Sequence, residues 1–211
     1  MPAPEYRFLT RWRALGTVQE VADVLGNARE LPRWWPSVYL LAEELEAGGE
    51  DGVGKRVRLH TKGWLPYTLD WEFRVTESRY PYGFSLEASG DLSGRGIWTF
   101  EQSGAWTQVT YDWQVRAEKP LLQVLSPMLR PLLEANHRWA MRMGEESLRL
   151  ELARCRASTP ADRAAIPPPP PATTSSPLPM IAAGVAVAAA AFGFARLLGR
   201  PRRRRRRRGW L

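Results

Sequence analysis

Apolar and polar residues alternate with a period of two through the middle of the chain. From Lys55 to Lys62, Val57, Leu59 and Thr61 share one face, and Arg58, His60 and Lys62 share the other. From Thr68 to Thr76, Leu69, Trp71, Phe73 and Val75 alternate with Asp70, Glu72 and Arg74. Phe84, Leu86 and Ala88 repeat the pattern, Ile97 to Phe100 continues it, and Val109, Tyr111, Trp113 and Val115 complete it. Successive side chains of a strand point to opposite sides, so each run predicts a strand with one dry and one wet face. Glycine-rich turns separate the runs, as in Gly48–Gly49 and Ser93–Gly96, which predicts an antiparallel meander. Tyr6 to Ala14 reads as a first, edge-like strand, and Val38 to Leu45 is strand-compatible.

The period changes twice. Thr17 with Glu20 forms a capping box ahead of Val18, Val21, Ala22 and Leu25, which predicts a short helix ended by Gly26–Asn27. Pro32 and Pro36 bracket Trp34–Trp35 and limit any helix there to a turn or two. Late in the chain, Leu121, Leu125, Met128, Leu129, Leu132, Leu133, Ala140, Met143, Ser147 and Leu150 recur at helical spacing. This predicts one long amphipathic helix over the dry face, best formed from Pro131 onward because Pro127 and Pro131 bend or delay its start. The fold class is α+β.

Four regions follow. Residues 1–155 read as one folded domain. Residues 156–179, RASTPADRAAIPPPPPATTSSPLP, read as an extended, solvated linker. Residues 180–199 are apolar and Ala-rich. Residues 200–211 hold seven consecutive arginines, Arg202 to Arg208. Charge follows this division. Residues 1–155 carry 19 Lys+Arg against 21 Asp+Glu, whereas 156–211 carry 11 Arg against one Asp. The net +8 of the chain therefore belongs to the tail. A near-neutral domain argues against a nucleic-acid groove on it. The single cysteine, Cys155, rules out an internal disulfide framework. No apolar leader opens the chain, and the expected location is cytoplasmic. The apolar segment and the arginines predict attachment of residues 180–208 to an anionic membrane surface. The seven arginines on the far side of that segment conflict with a simple outward-facing tail anchor.

The order of these features carries a resemblance. One strand, two short helical turns with LPRWWPSV, a meander with SGDLSGRGIWTF, and a closing helix with NHRWAMRMGEESLRLEL resemble the polyketide cyclase/dehydrase group of the START-related (SRPBCC) superfamily. The resemblance covers about residues 5–154. It implies a helix-grip fold, in which a curved antiparallel sheet wraps a C-terminal helix around an apolar cavity. It also implies an apolar ligand such as a lipid or polyketide, and in some members cyclisation or dehydration.

The candidate ligand-binding residues are Trp34 and Trp35 as a lid or rim, then Leu59, Trp71, Phe73, Phe84, Trp98, Phe100, Tyr111 and Trp113 on the dry face. Leu132, Asn136, Ala140 and Met143 join them from the helix. The same rings could instead fill a solid core. Tyr111 is the clearest inward polar group. His60 has wet parity, and His137 beside Arg138 reads as surface or a helix-end contact. Asp70 and Glu72 lie opposite Trp71 and Phe73 and read as solvated. Arg95, between Gly94 and Gly96, reads as a turn residue. No His/Asp/Glu spacing suggests a metal, no phosphate loop or nucleophile elbow occurs, and no cofactor is expected. Catalytic residues are not identifiable. The expectation is a protein that holds an apolar small molecule near a membrane. The alternative is a polyketide aromatase/cyclase or dehydratase, whose turnover would depend on a buried polar group such as Tyr111.

Overall fold

The computed structural model describes residues 5–118 and 120–173. Seven strands form one antiparallel sheet: β1 (Glu5–Leu15), β2 (Tyr39–Glu46), β3 (Arg56–Lys62), β4 (Thr68–Ser78), β5 (Gly83–Gly90), β6 (Leu92–Ser103) and β7 (Trp106–Ala117). Their spatial order is β1-β7-β6-β5-β4-β3-β2, so β1 does lie at an edge. Register shifts in the β2–β3 and β4–β5 pairs bend the sheet. The period-two reading places Val57, Leu59, Trp71, Phe73, Val75, Trp98, Phe100, Tyr111 and Trp113 on the buried face.

β6 starts earlier than the sequence suggests. Gly94–Arg95–Gly96 is strand, not turn, and Arg95 lies on the outer face with Nε donating to Gln114 Oε1 at 3.2 Å. Two glycines account for this. At φ +153°, Gly94 lies so close to β7 that a Cβ would stand 2.0 Å from the Gln114 carbonyl oxygen. A Cβ on Gly96 would stand 2.7 Å from the Tyr111 hydroxyl. The glycines admit close strand approach and ring packing rather than a reversal.

Between β1 and β2 run α1 (Val18–Gly26), a 3₁₀ turn (Ala28–Glu30) and α2 (Leu31–Trp34). The Thr17–Glu20 capping box is present. Helix α3 (Pro120–Arg156) spans the predicted helical run, and Pro127 and Pro131 lie within it rather than delaying its start. Its inward face is also rotated from the predicted one. Met141, Gly144, Ser147, Leu148, Glu151 and Leu152 are buried, while Leu132, Met143 and Leu150 are only half-buried. The buried face is partly small or polar because other side chains occupy the space beside it. The Trp35 ring lies against Gly144, where a Cβ would meet Trp35 Cζ2 at 2.2 Å.

Ion pairs fasten α3 to the other helices. Arg33 of α2 donates two hydrogen bonds to the buried Glu151, at 2.7 and 2.9 Å. Burial alone would raise the Glu151 carboxyl, but Arg33, with smaller help from Cys155 and Arg154, holds the group below the usual carboxylate range. Arg156 binds Glu20 at 2.6 Å and the Leu15 carbonyl at 2.9 Å. Arg33→Ala leaves a buried carboxylate with Arg154 at 3.7 Å and the Cys155 thiol at 3.6 Å as its remaining partners. Urea unfolding is expected to show a loss of about 1–2 kcal/mol, below the figure for an enclosed pair because the guanidinium is half-exposed. No loss would mean that Glu151 finds water or another cation.

The segment after α3 is not uniformly extended. Thr159 caps a short helix, α4 (Pro160–Ala165). Arg154 donates to the Pro167 carbonyl, Lys62 Nζ donates to the Thr173 carbonyl, and Thr173 Oγ1 donates to the Gly63 carbonyl at 3.1 Å. Residues 157–173 thus run back along the domain, because the capping threonine and backbone carbonyls supply local partners that the proline-rich composition conceals. The expected apolar segment 180–199 and arginine tail 200–211 lie outside the described residues.

Candidate functional site

The space beneath the sheet is divided in two. The larger cavity, about 730 Å³, lies between the inner face of the sheet and the segment from α1 to Trp35. A smaller chamber, about 160 Å³, lies farther toward β1 and α3. Four rings, Trp35, Tyr39, Trp71 and Tyr111, line both and form the wall between them. The wall belongs to a continuous aromatic run. Trp98 stacks on Tyr111 with centroids 3.9 Å apart, Tyr111 on Trp113 at 5.6 Å, and Trp35 meets Tyr39 edge-on at 5.1 Å.

Leu59, Phe73, Phe84, Trp98 and Phe100 line the larger cavity. Trp113, Asn136 and Ala140 line the smaller chamber. Leu132 and Met143 line neither, because the helix presents Leu133 and Met141 instead. Trp34 and Trp35 are not a rim. They are 1% and 2% exposed, and Trp34 lines neither space. Helix α2 carries Trp34 inward with Leu31, and Trp35 packs beside it at 5.6 Å. No described residue of α3 lines the larger cavity, so that cavity is roofed by α1 and α2 rather than by the last helix.

Tyr39 was missed from the sequence, although its signal was present. It pairs with Thr61, and directly paired residues of antiparallel strands face the same side. Since Thr61 is inward, Tyr39 is inward. Burial raises the Tyr39 phenol above its usual value, and burial with Tyr39 nearby raises Tyr111. Both therefore stay protonated and offer O–H donors.

His137 is not at the surface. Its ring stacks on Phe8 with centroids 3.9 Å apart, and Nε2 is buried without a partner. Burial, helped by Arg138, lowers its pKa to about 4, so the ring is neutral at pH 7. Asn136 has a positioning role. Its Oδ1 accepts from the Trp64 and Leu65 amides at 3.0 and 3.2 Å and so fixes the β3–β4 loop. His60 does lie on the outer face, where Nδ1 is 2.6 Å from Asp70 Oδ1. Glu72, also on the outer face, pairs with Arg56 and Arg58.

The lining of the larger cavity also has a polar part. Asp23, Asn27, Glu50, Asp51, Lys55, Arg79 and Tyr80 contribute to it from α1, its C-cap and two loops. The Tyr80 hydroxyl donates to Asp23 Oδ1 at 2.9 Å and accepts from Gln19 Nε2, which links the β4–β5 turn to α1. Among the described residues no cluster of His, Cys, Asp and Glu is placed to hold a metal ion. Also among them, no helix is long and apolar enough to cross a membrane.

Solved structures share this fold. The Zhui aromatase/cyclase of Streptomyces sp. R1128 aligns with a TM-score of 0.58 at 19% identity, over 74% of this chain and 98% of its own. TTHA0849 of Thermus thermophilus aligns at 0.55 and 15% identity, over 73% and 100%. A point mutant of norcoclaurine synthase from Thalictrum flavum, solved with a transition-state analogue, aligns at 0.50 and 11% identity, over 74% and 99%. At these identities the likeness establishes the helix-grip fold alone. Comparison with curated proteins gives no match. The family profile described as "Polyketide cyclase / dehydrase and lipid transport" matches residues 16–149, well over half of the chain, and the protein belongs to that family.

Proposed function

We propose that this protein binds an apolar small molecule, a lipid or a polyketide-like compound with at least one oxygen acceptor, in the larger cavity. The observation that carries this reading is the cavity itself, about 730 Å³ with a mainly aromatic and aliphatic lining. That volume falls in the range of small-molecule sites, and such a lining binds chiefly by the apolar area it removes from water. Tyr39 and Tyr111 supply donors to a carbonyl or hydroxyl oxygen. The test is fluorescence titration with 1-anilinonaphthalene-8-sulfonate (ANS), alongside native mass spectrometry and lipid extraction of the purified protein. Leu86→Trp fills part of the cavity without removing a polar group. It is expected to weaken ANS binding by about tenfold, or about 1.4 kcal/mol. Absence of probe binding and of any co-purified apolar molecule would refute the reading.

The pair of protonated phenols also favours a second reading, cyclisation or dehydration of a polyketide, with Tyr111 polarising a substrate carbonyl. Tyr111→Phe separates the two. It weakens affinity severalfold in a binding protein and removes turnover in a cyclase. We further propose that the protein is cytoplasmic and that residues 180–208 hold it at an anionic membrane surface, on the strength of their apolar and arginine-rich sequence. Fractionation of cells with and without residues 178–211 tests it. An equal soluble fraction in both would refute it.

A further inference from the structure

We propose that the proline run Pro167–Pro171 is a recognition strip presented by the domain, for a partner module whose groove is lined with aromatic rings and bordered by a carboxylate. The inference does not depend on what fills the spaces under the sheet. Its first support is conformation. Proline holds φ at about −65° and disfavours helical backbone in the residue before it, so the run takes the left-handed polyproline II form, with about three residues per turn. Ile166 enters it at φ −78° and ψ 126°, and residues 167–173 form neither helix nor strand. Exposure follows the same period. Ile166, Pro169 and Ala172 are all half-buried, whereas Pro168 and Pro171 are both exposed. One row of the strip thus faces the domain, and another, spaced as Pro-x-x-Pro, faces water.

The second support is anchoring at both ends. Arg154 donates to the Pro167 carbonyl, Lys62 Nζ donates to the Thr173 carbonyl, and Thr173 Oγ1 donates to the Gly63 carbonyl at 3.1 Å. A strip already fixed in the bound form loses less freedom on association than a loose peptide does. Polyproline II makes no hydrogen bonds of its own, so a partner can use its carbonyls as well as its rings. The third support is charge. Arg163, exposed on α4, borders the same groove as Pro168 and Pro169, beside Arg33 and Arg154. Arg33 is engaged by Glu30 and Glu151, and Arg154 lies 3.7 Å from Glu151. Arg163 is therefore the cation beside the prolines that a partner's carboxylate can meet.

The test titrates two ¹⁵N-labelled modules that read polyproline II through aromatic grooves, an SH3 domain and a WW domain, with the full chain, its variants and the detached peptide 164–173. The full chain is expected to shift the groove signals of at least one module. It is expected to bind that module about fivefold more tightly than the peptide, which must first be ordered. Pro168→Ala combined with Pro171→Ala removes the outward row and is expected to weaken binding about tenfold. Lys62→Ala frees the Thr173 end and is expected to bring the chain down toward the peptide's affinity. Arg163→Gln is expected to cost about threefold, an effect that added salt should erase. Three results would each overturn the proposal: no response of either module at millimolar chain, a peptide that binds as tightly as the chain, or unchanged affinity in the double proline variant. The run would then be a spacer only. If a variant fails to fold, the comparison of the wild-type chain with the peptide decides.

Discussion

Lowering the pH from 7.5 to 5 is expected to cost the wild-type protein about 2 kcal/mol more stability than it costs H137F, because unfolding frees His137 to take up a proton. Burial, with a smaller contribution from Arg138, depresses the folded-state pKa to about 4 from the ordinary 6.5. The folded state thus binds fewer protons than the unfolded state between these values. The contribution is fully present above pH 6.5 and is lost as pH falls through 6.5 toward 4. The window must stop near pH 5, since carboxylates then begin to contribute with the same sign. Hydrogen bonds from Arg156 foremost hold Glu20 at about 2, and its share is lost below about pH 4.5 in both proteins. Urea titrations at four pH values on both proteins give the difference directly. Parallel pH profiles would show that the ring is hydrated in the folded protein.

Gly144→Ala is expected to destabilise the protein by about 2 kcal/mol, against the rule for helix interiors. Replacing a mid-helix glycine by alanine ordinarily stabilises by about 1 kcal/mol. Here the new methyl would lie 2.2 Å from Trp35 Cζ2 and 2.6 Å from Cε2 and Cη2. The indole cannot withdraw freely, because Trp12 and Trp34 each stand 5.6 Å from it and Tyr39 5.1 Å. Overpacking of this kind costs about 1–3 kcal/mol beyond any gain in propensity. Because Trp35 is part of the wall, displacement of its ring should also weaken ANS binding in the larger cavity. A more stable G144A protein would mean that the ring relaxes without penalty.

Strand faces follow from a period of two, and Trp71, Phe73, Trp98, Phe100, Tyr111 and Trp113 lie on the dry side as that period requires. The helix was harder because its inward face is not its most hydrophobic one. Gly144 and Ser147 face inward, and Met143 does not. A small residue there is the complement of a large ring elsewhere, and such complementarity is invisible along a single element. The same reason hid β6, where Gly94 and Gly96 suggest a turn unless the proximity of Gln114 and Tyr111 is known. His137 was misread because its neighbour Arg138 is charged and exposed, whereas adjacent helical positions face directions about 100° apart. The division of the interior into two spaces was not legible at all. It depends on four rings from four different parts of the chain.

That aromatic wall also has an optical consequence. Trp35, Trp71 and Trp98 border the larger cavity, and Trp98 lies flat against Tyr111 at 3.9 Å. Trp12 stands 5.5 Å from Trp98 and 5.6 Å from Trp35, and indoles this close exchange excitation, so their emission is expected to be that of a coupled array rather than of separate fluorophores. Any absorbing guest would border three of its members at once. The protein thereby carries a built-in reporter of occupancy, and its own emission can follow a colourless guest through displacement of a coloured one, with no label attached.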